Sequence, residues 1–280
     1  MKVGIGLPTT ILGTDRALIL EWARRADEGR YSTLGIFDRF AYDSFEPLTT
    51  LAAAAAVTER IRLATTILTG PLHNTAMLAK AAASVDALSG GRLVLGLALG
   101  AREADYKVAG VEYRSRGRRL SEQLGALRSY WEENTFGPKP SRPGGPELLV
   151  GGTSEPAFAR MARYANGYLH GGGPPRAFAR AAEKARAAWF DAGRPDKLLL
   201  WGMGYYALGE DAVEAGIGYM KDYYSFAGPF ADRITAGLLT TPNAIAEFIQ
   251  GYQEAGCDEL LLFPTVGNIT QLTRLAEAVG

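Results

Sequence analysis

The chain has 280 residues, 47% of them hydrophobic and 21% charged, which is enough apolar material for a full core and excludes a compositionally disordered protein. Thirty Lys and Arg against thirty Asp and Glu leave a formal net charge of zero, so no global field draws the chain to nucleic acid or to an anionic membrane. The lone cysteine, Cys257, excludes an intramolecular disulfide and a cysteine-rich metal site, and predicts a reducing, cytoplasmic setting.

Met1 and Lys2 lead directly into the strand-like Val3-Gly4-Ile5-Gly6-Leu7, without the apolar segment of a signal peptide. No stretch approaches about eighteen apolar residues, so no membrane span is expected. From there strand-like and helix-like segments alternate eight times. Strands are expected at residues 2–8, 33–38, 61–68, 93–99, 147–151, 167–171, 199–207 and 259–264, each short and apolar, as strands buried on both faces must be. Helical periodicity fills residues 15–29, 46–59, 75–88, 115–133, 155–165, 175–192, 210–225 and 242–255, and a closing helix is expected at 268–279. Asn74 and Thr241, the latter followed by Pro242, are N-cap candidates, and Gly29, Gly193 and Gly256 are helix stops.

Eight strand–helix units match a single α/β domain over 1–280, a (β/α)8 TIM barrel, whose usual size is about 250 residues. An open doubly wound sheet is the alternative. It calls for a glycine-rich dinucleotide turn after the first strand, and Gly4-Ile5-Gly6-Leu7-Pro8-Thr9 lacks the third glycine. The proline- and glycine-rich residues 137–146 read as a loop feeding the fifth strand.

In such a barrel the reacting groups come from the C-terminal strand ends and the loops behind them. Cys257 precedes the eighth strand and falls on the opposite face, as a small buried hydrophobe. Asp38 and Arg39 end an apolar strand, where charge is costly without a partner or ligand. His73 and His170 are the only histidines, both on the upper side, and histidine is the residue type that needs no large shift to change charge near neutrality. Gly151-Gly152-Thr153-Ser154 offers backbone donors and two hydroxyls at a helix start, suited either to a phosphate or to an ordinary N-cap. Gly171-Gly172-Gly173 permits close approach of a ligand to backbone. Arg114, Arg116, Arg118 and Arg119 open a helix whose dipole disfavours them, which calls for an anion or for carboxylates such as Glu112 and Glu122. Tyr205, Tyr206, Tyr223, Tyr224, Phe226 and Phe263 are candidates for the walls of a pocket for a flat molecule, or for core. No two-histidine metal motif, P-loop or Gly-x-Ser-x-Gly elbow is present, so no metal site is expected.

Several segments together resemble the bacterial luciferase-like flavin and deazaflavin oxidoreductase family. They are Val3-Gly4-Ile5-Gly6-Leu7-Pro8, Leu34-Gly35-Ile36-Phe37-Asp38-Arg39, residues 58–68 from Thr-Glu-Arg to Thr-Thr-Ile-Leu, residues 86–96 with Leu88-Ser89-Gly90-Gly91-Arg92, Ala109-Gly110-Val111, and Leu149-Val150-Gly151-Gly152-Thr153-Ser154. Their order and spacing over residues 1–172 carry the resemblance. It implies a barrel with FMN or a deazaflavin at the C-terminal mouth. Asp38 would stand beside the ring, Thr65, Thr66 and Ile67 would form the third-strand edge beneath it, and Gly151, Gly152, Thr153 and Ser154 would approach the phosphate, with Gly171 and Gly172 close by. It also implies a non-proline cis bond at Thr66-Ile67.

The chain departs from that pattern in three places. Arg39 stands where luciferase and several deazaflavin dehydrogenases carry a histidine, Leu99 replaces a phosphate-binding arginine, and Asn74 replaces a histidine before the third helix. Arg102 or the Arg116 to Arg119 run are the substitutes for that arginine, and luminescence on a long-chain aldehyde is not expected. The resemblance then implies a two-component monooxygenase using reduced FMN, supplied by a separate reductase, and O2 on a small organic substrate. Asp38, Arg39 and His170 are its catalytic candidates. A deazaflavin-dependent hydride-transfer reductase or dehydrogenase is the alternative, favoured by residues 93–102, and a non-enzymatic flavin-binding protein is the second. Apolar helical faces suit a homodimer.

Overall fold

The structure, a computed structural model, describes residues 1–133, 135 and 137–280. All eight expected strands form. They are β1 (Lys2–Gly6), β2 (Thr33–Ile36), β3 (Arg62–Thr69), β4 (Leu93–Ala98), β5 (Glu147–Gly151), β6 (Gly167–Leu169), β7 (Leu199–Tyr206) and β8 (Glu259–Pro264). They close in sequence order into a parallel barrel, with β1 pairing β8 through Lys2 to Glu259 and Ile5 to Leu262. Closure of the ring excludes the open doubly wound sheet.

The helices are α1 (Arg16–Glu28), α2 (Pro47–Ala55), α3 (Thr75–Leu88), α4 (Glu103–Val108), α5 (Arg116–Glu132), α6 (Glu155–Tyr164), α7 (Pro175–Asp191), α8 (Glu210–Tyr223), α9 (Phe230–Thr235), α10 (Pro242–Glu254) and α11 (Thr270–Val279). Two N-caps match their residues: Asn74 Oδ1 accepts from the Met77 amide at 3.1 Å and Thr241 Oγ1 from Ala244 at 3.2 Å. Gly193 and Gly256 follow α7 and α10 at φ of 64° and 80°, where a side chain would be strained. Gly29 closes α1 at φ −80° and uses none of that freedom.

Three features were not anticipated. α2 ends at Ala55 rather than 59, because the Asp27 carboxylate takes the amides of Glu59, Arg60 and Ile61 at 2.9, 2.9 and 2.6 Å and draws the chain out of the helix. The other two are α4 and α9, each of six residues, too short to leave a readable period.

Strand alternation divides the core in two. On β8, Leu260 and Leu262 face the helices, while Leu261 and Phe263 face the barrel interior with Ala64, Val94, Leu149, Leu169, Trp201 and Met203. Phe263 fits because β1 carries glycine opposite it: a Cβ on Gly6 would lie 2.0 Å from its ring. The N-terminal end of the barrel is closed by Arg62, which pairs with Glu147 and, at 3.6 Å, with Glu259, and lies over the Trp201 ring at 5.1 Å. No helix is long and apolar enough to cross a membrane among the described residues.

Candidate active site

Polar atoms that are buried without a partner mark where a ligand's groups are missing. Among the described residues nine such atoms occur, and those of Thr9, Arg39, His73, Arg102 and Arg160 belong to the C-terminal strand ends and the segments beyond them. The end opposite the Arg62 plug is therefore the candidate site.

Its floor lies over β3, β4 and β5. The β3 to β4 register shifts between Thr65 and Leu68, and the Thr66–Ile67 bond is cis, as the resemblance implied. The Thr65 hydroxyl pairs with both backbone groups of Gly96, at 2.8 and 2.9 Å, and Thr66 donates to the Ile36 carbonyl at 3.1 Å. Both threonines thus fix the strand edge with their hydroxyls, and the half-buried Ile67 is the member of the trio with an open side chain. A Cβ on Gly151 would stand 3.4 Å from that of Ala98 and 3.6 Å from Ile67 Cγ2. Three adjacent strands thus end in a small apolar floor.

Beside this floor Gly152, Thr153 and Ser154 are exposed, and α6 starts without any side-chain cap on its free amides. Arg160 lies in the second turn of α6. Its Nη1 would lie 3.9 Å from a Cβ on Gly117 in the first turn of α5, its Nε is buried without a partner, and burial holds its pKa below the ordinary arginine range. Gly171 and Gly172 follow β6; a Cβ on Gly171 would meet nothing within 4 Å.

On the β2 to β4 side, Asp38 Oδ2 accepts from the Thr69 amide at 2.8 Å and stands 3.9 Å from His73 Nε2. The short 3-10 turn Gly70–Leu72 returns the chain so that His73 faces the acid. Arg39 donates to the Tyr223 carbonyl at 3.0 Å and lies over the rings of Tyr42 and Tyr223 at 3.9 and 4.8 Å. Arg102 lies over Tyr223 and Phe226 at 4.8 and 4.6 Å, with Asp105 3.7 Å from its Nη1. Burial, and then the neighbouring Arg102, pull the Arg39 pKa below its ordinary range. Asp105, Tyr42 and the pairing of His73 with Asp38 were not anticipated.

The aromatic set fills the other half of the mouth. Phe37 stacks on Phe263 at 3.8 Å, Tyr219 on Tyr223 at 5.5 Å, and the Tyr205 and Tyr224 hydroxyls meet at 2.7 Å. Tyr206 does not join them: it packs in the strand–helix layer and donates to the Gln271 carbonyl at 3.2 Å. Of the arginine run, Arg116 bonds the Tyr113 carbonyl at 2.8 Å, Arg119 bonds that of Pro71 at 3.1 Å, and the exposed Arg118 pairs with Glu122 at 4.0 Å. Cys257 is buried below the barrel, with its thiol pushed up to about 12 by burial.

His170 is set apart from Asp38 and Arg39, and its expected place among them is corrected by strand parity. Leu169 faces the interior, so Tyr168 and His170 face outward. The imidazole stands edge-on to Phe178 at 5.8 Å, with Nδ1 3.3 Å from the Tyr168 hydroxyl. Burial pulls its pKa from the ordinary 6.5 to about 4, so the ring is neutral at pH 7. A histidine whose folded pKa is depressed leaves stability intact above the unfolded value and loses it as pH falls toward the folded one, here by up to about 3 kcal/mol. The His170→Phe variant is expected to lack this part of the acid destabilisation in urea midpoints measured from pH 7 to pH 4; equal acid sensitivity in both proteins would refute it.

A family profile described as luciferase-like monooxygenase matches residues 1–268. An uncharacterised protein of Mycobacterium bovis is 30% identical over 217 residues, covering 65% of this chain and 74% of its own. An FMNH2-dependent dimethylsulfone monooxygenase of Pseudomonas putida is 25% identical over 208 residues, covering 68% of this chain and 56% of its own. Among solved structures, an F420-dependent secondary alcohol dehydrogenase superposes with a TM-score of 0.81 at 19% identity, over 99% of this chain and 98% of its own.

Proposed function

The chain belongs to the luciferase-like monooxygenase family and is an oxidoreductase, and from that premise we propose that it is the oxygenase component of a two-component monooxygenase. A separate cytoplasmic reductase delivers its reduced FMN, and the substrate is a small organic molecule. The observation that carries this reading is the apolar floor of Ile67, Ala98 and Gly151, bordered on both sides by buried polar groups that lack partners. That floor suits a flat ring. Gly152, Thr153 and Ser154 at the uncapped start of α6, with Arg160 behind them, suit its phosphate.

When bound, reduced FMN supplies the electrons and the oxygen chemistry. The chain's own groups do the rest. Asp38 and His73 hold and pass a proton at Nε2, a task closed to Arg39, which stays protonated. The aromatic half of the mouth excludes water from the reacting centre. Two copies pair through the apolar groove of α2 and α3, where Met77 and Leu88 are 67% and 70% exposed.

Titration with FMN, followed by oxygen uptake with chemically reduced FMN, tests the reading. FMN is expected to bind more tightly than riboflavin, and Arg160→Met to erase that preference by about tenfold, since a charge-assisted phosphate contact is lost while the ring contacts remain. Retention of a deazaflavin coenzyme with no affinity for FMN would instead support hydride transfer, the second reading, which the resemblance of residues 93–102 to the deazaflavin branch favours.

A further inference from the structure

Arg39 and Arg102 form the most unusual group of charges in the molecule. Their guanidinium faces are covered by Tyr42, Tyr223 and Phe226 at 3.9 to 4.8 Å, so what each still offers is its N–H edge. Arg39 spends one edge donor on the Tyr223 carbonyl, and its Nε is buried with no acceptor. Arg102 has Asp105 at 3.7 Å from Nη1, and its Nε is likewise buried with no acceptor. Asp105 is the one carboxylate within ion-pair distance of either among the described residues, and its other oxygen already accepts from the Ala41 amide at 2.9 Å. Asp38 is committed to the Thr69 amide and Asp222 to the Tyr42 hydroxyl. Burial, and then the like charge of Arg102, lower the pKa of Arg39, whereas Tyr223 and Asp105 offset the burial of Arg102 and raise its pKa. Burying unsatisfied guanidinium donors is expensive unless a partner completes them.

We propose that Arg39 and Arg102 are the subsite for an anionic oxygen group, a carboxylate or sulfonate, on a flat aromatic substrate whose ring lies against the more open Tyr42 and Phe226. An oxyanion with two or three oxygens offers acceptors to such unpaired N–H groups and supplies the second negative charge the pair lacks. This inference rests on the barrel mouth being the redox site. The subsite lies on the β2 and β4 side, and the candidate phosphate cradle, on the β5 and α6 side, is built from other residues. In this reading Arg102 holds the substrate's anion in place of the coenzyme phosphate.

The probes are naphthalene carboxylate and its neutral carboxamide, titrated calorimetrically into the whole protein with and without FMN. The carboxylate is expected to bind at least about tenfold more tightly than the amide, and Arg39→Gln and Arg102→Gln each to bring the two to near parity with amide binding unchanged. Arg102→Lys, which keeps the charge without the planar fork, is expected to retain part of the preference. Parity in the wild-type protein, or a preference that survives both glutamine variants, overturns the subsite. Loss of the FMN preference over riboflavin in the same variants also overturns it, by assigning the anion to the coenzyme phosphate. If neither FMN nor a deazaflavin binds while the carboxylate preference stands, the redox reading fails and the anion subsite survives.

Discussion

Gly151→Leu is expected to lower FMN affinity by about a hundredfold or more while the barrel remains folded, a loss near 3 kcal/mol. Gly151 is the last residue of β5 and its Cβ direction is inward, onto Ala98 and Ile67. A Cβ there is tight against the Leu169 carbonyl at 3.2 Å, which must give by a few tenths of an ångström, and meets its other neighbours at ordinary contact distances. An isobutyl group beyond that Cβ occupies the floor on which the ring is proposed to lie, and no rotamer can retreat into the close-packed interior beneath it. Overpacking costs a fold about 1–3 kcal/mol, and here part of it is relieved because the group emerges at an open mouth. Fluorescence titration of FMN with a thermal melt of the same sample separates the two effects. A variant that melts like the wild type and binds FMN equally well would remove the ring from this floor.

The fold was legible because its evidence is local and repeated. Eight apolar runs of strand length, each followed by a 3.6-residue period, leave few topologies once connections are short and right-handed. What escaped was decided by partners far away in sequence. The end of α2 is set by Asp27 in α1, thirty-two residues before Glu59. The Arg39 cluster depends on Tyr223, a contact across 184 residues. His73 reaches Asp38 through a 3-10 turn that no hydrophobic pattern announces. His170 is a different case, since a signal existed. Once Leu169 is placed inside the barrel, alternation alone sends His170 outward, whatever its position at the strand end.

The same distinction makes the Asp38 and His73 pair the sharpest test of the chemistry. Asp38→Asn keeps an oxygen to accept from the Thr69 amide, so the strand edge stays in place, and removes only the charge that faces His73. If the pair holds and passes a proton, kcat is expected to fall about a hundredfold, within the usual span for general acid–base groups, with FMN affinity unchanged. His73→Gln is expected to do the same. Groups that work as a unit are not additive, so the double variant should be no slower than the worse single one. Two single variants with wild-type kcat would reduce the pair to a structural contact. A double variant slower by the product of both losses would show that acid and histidine act on separate steps.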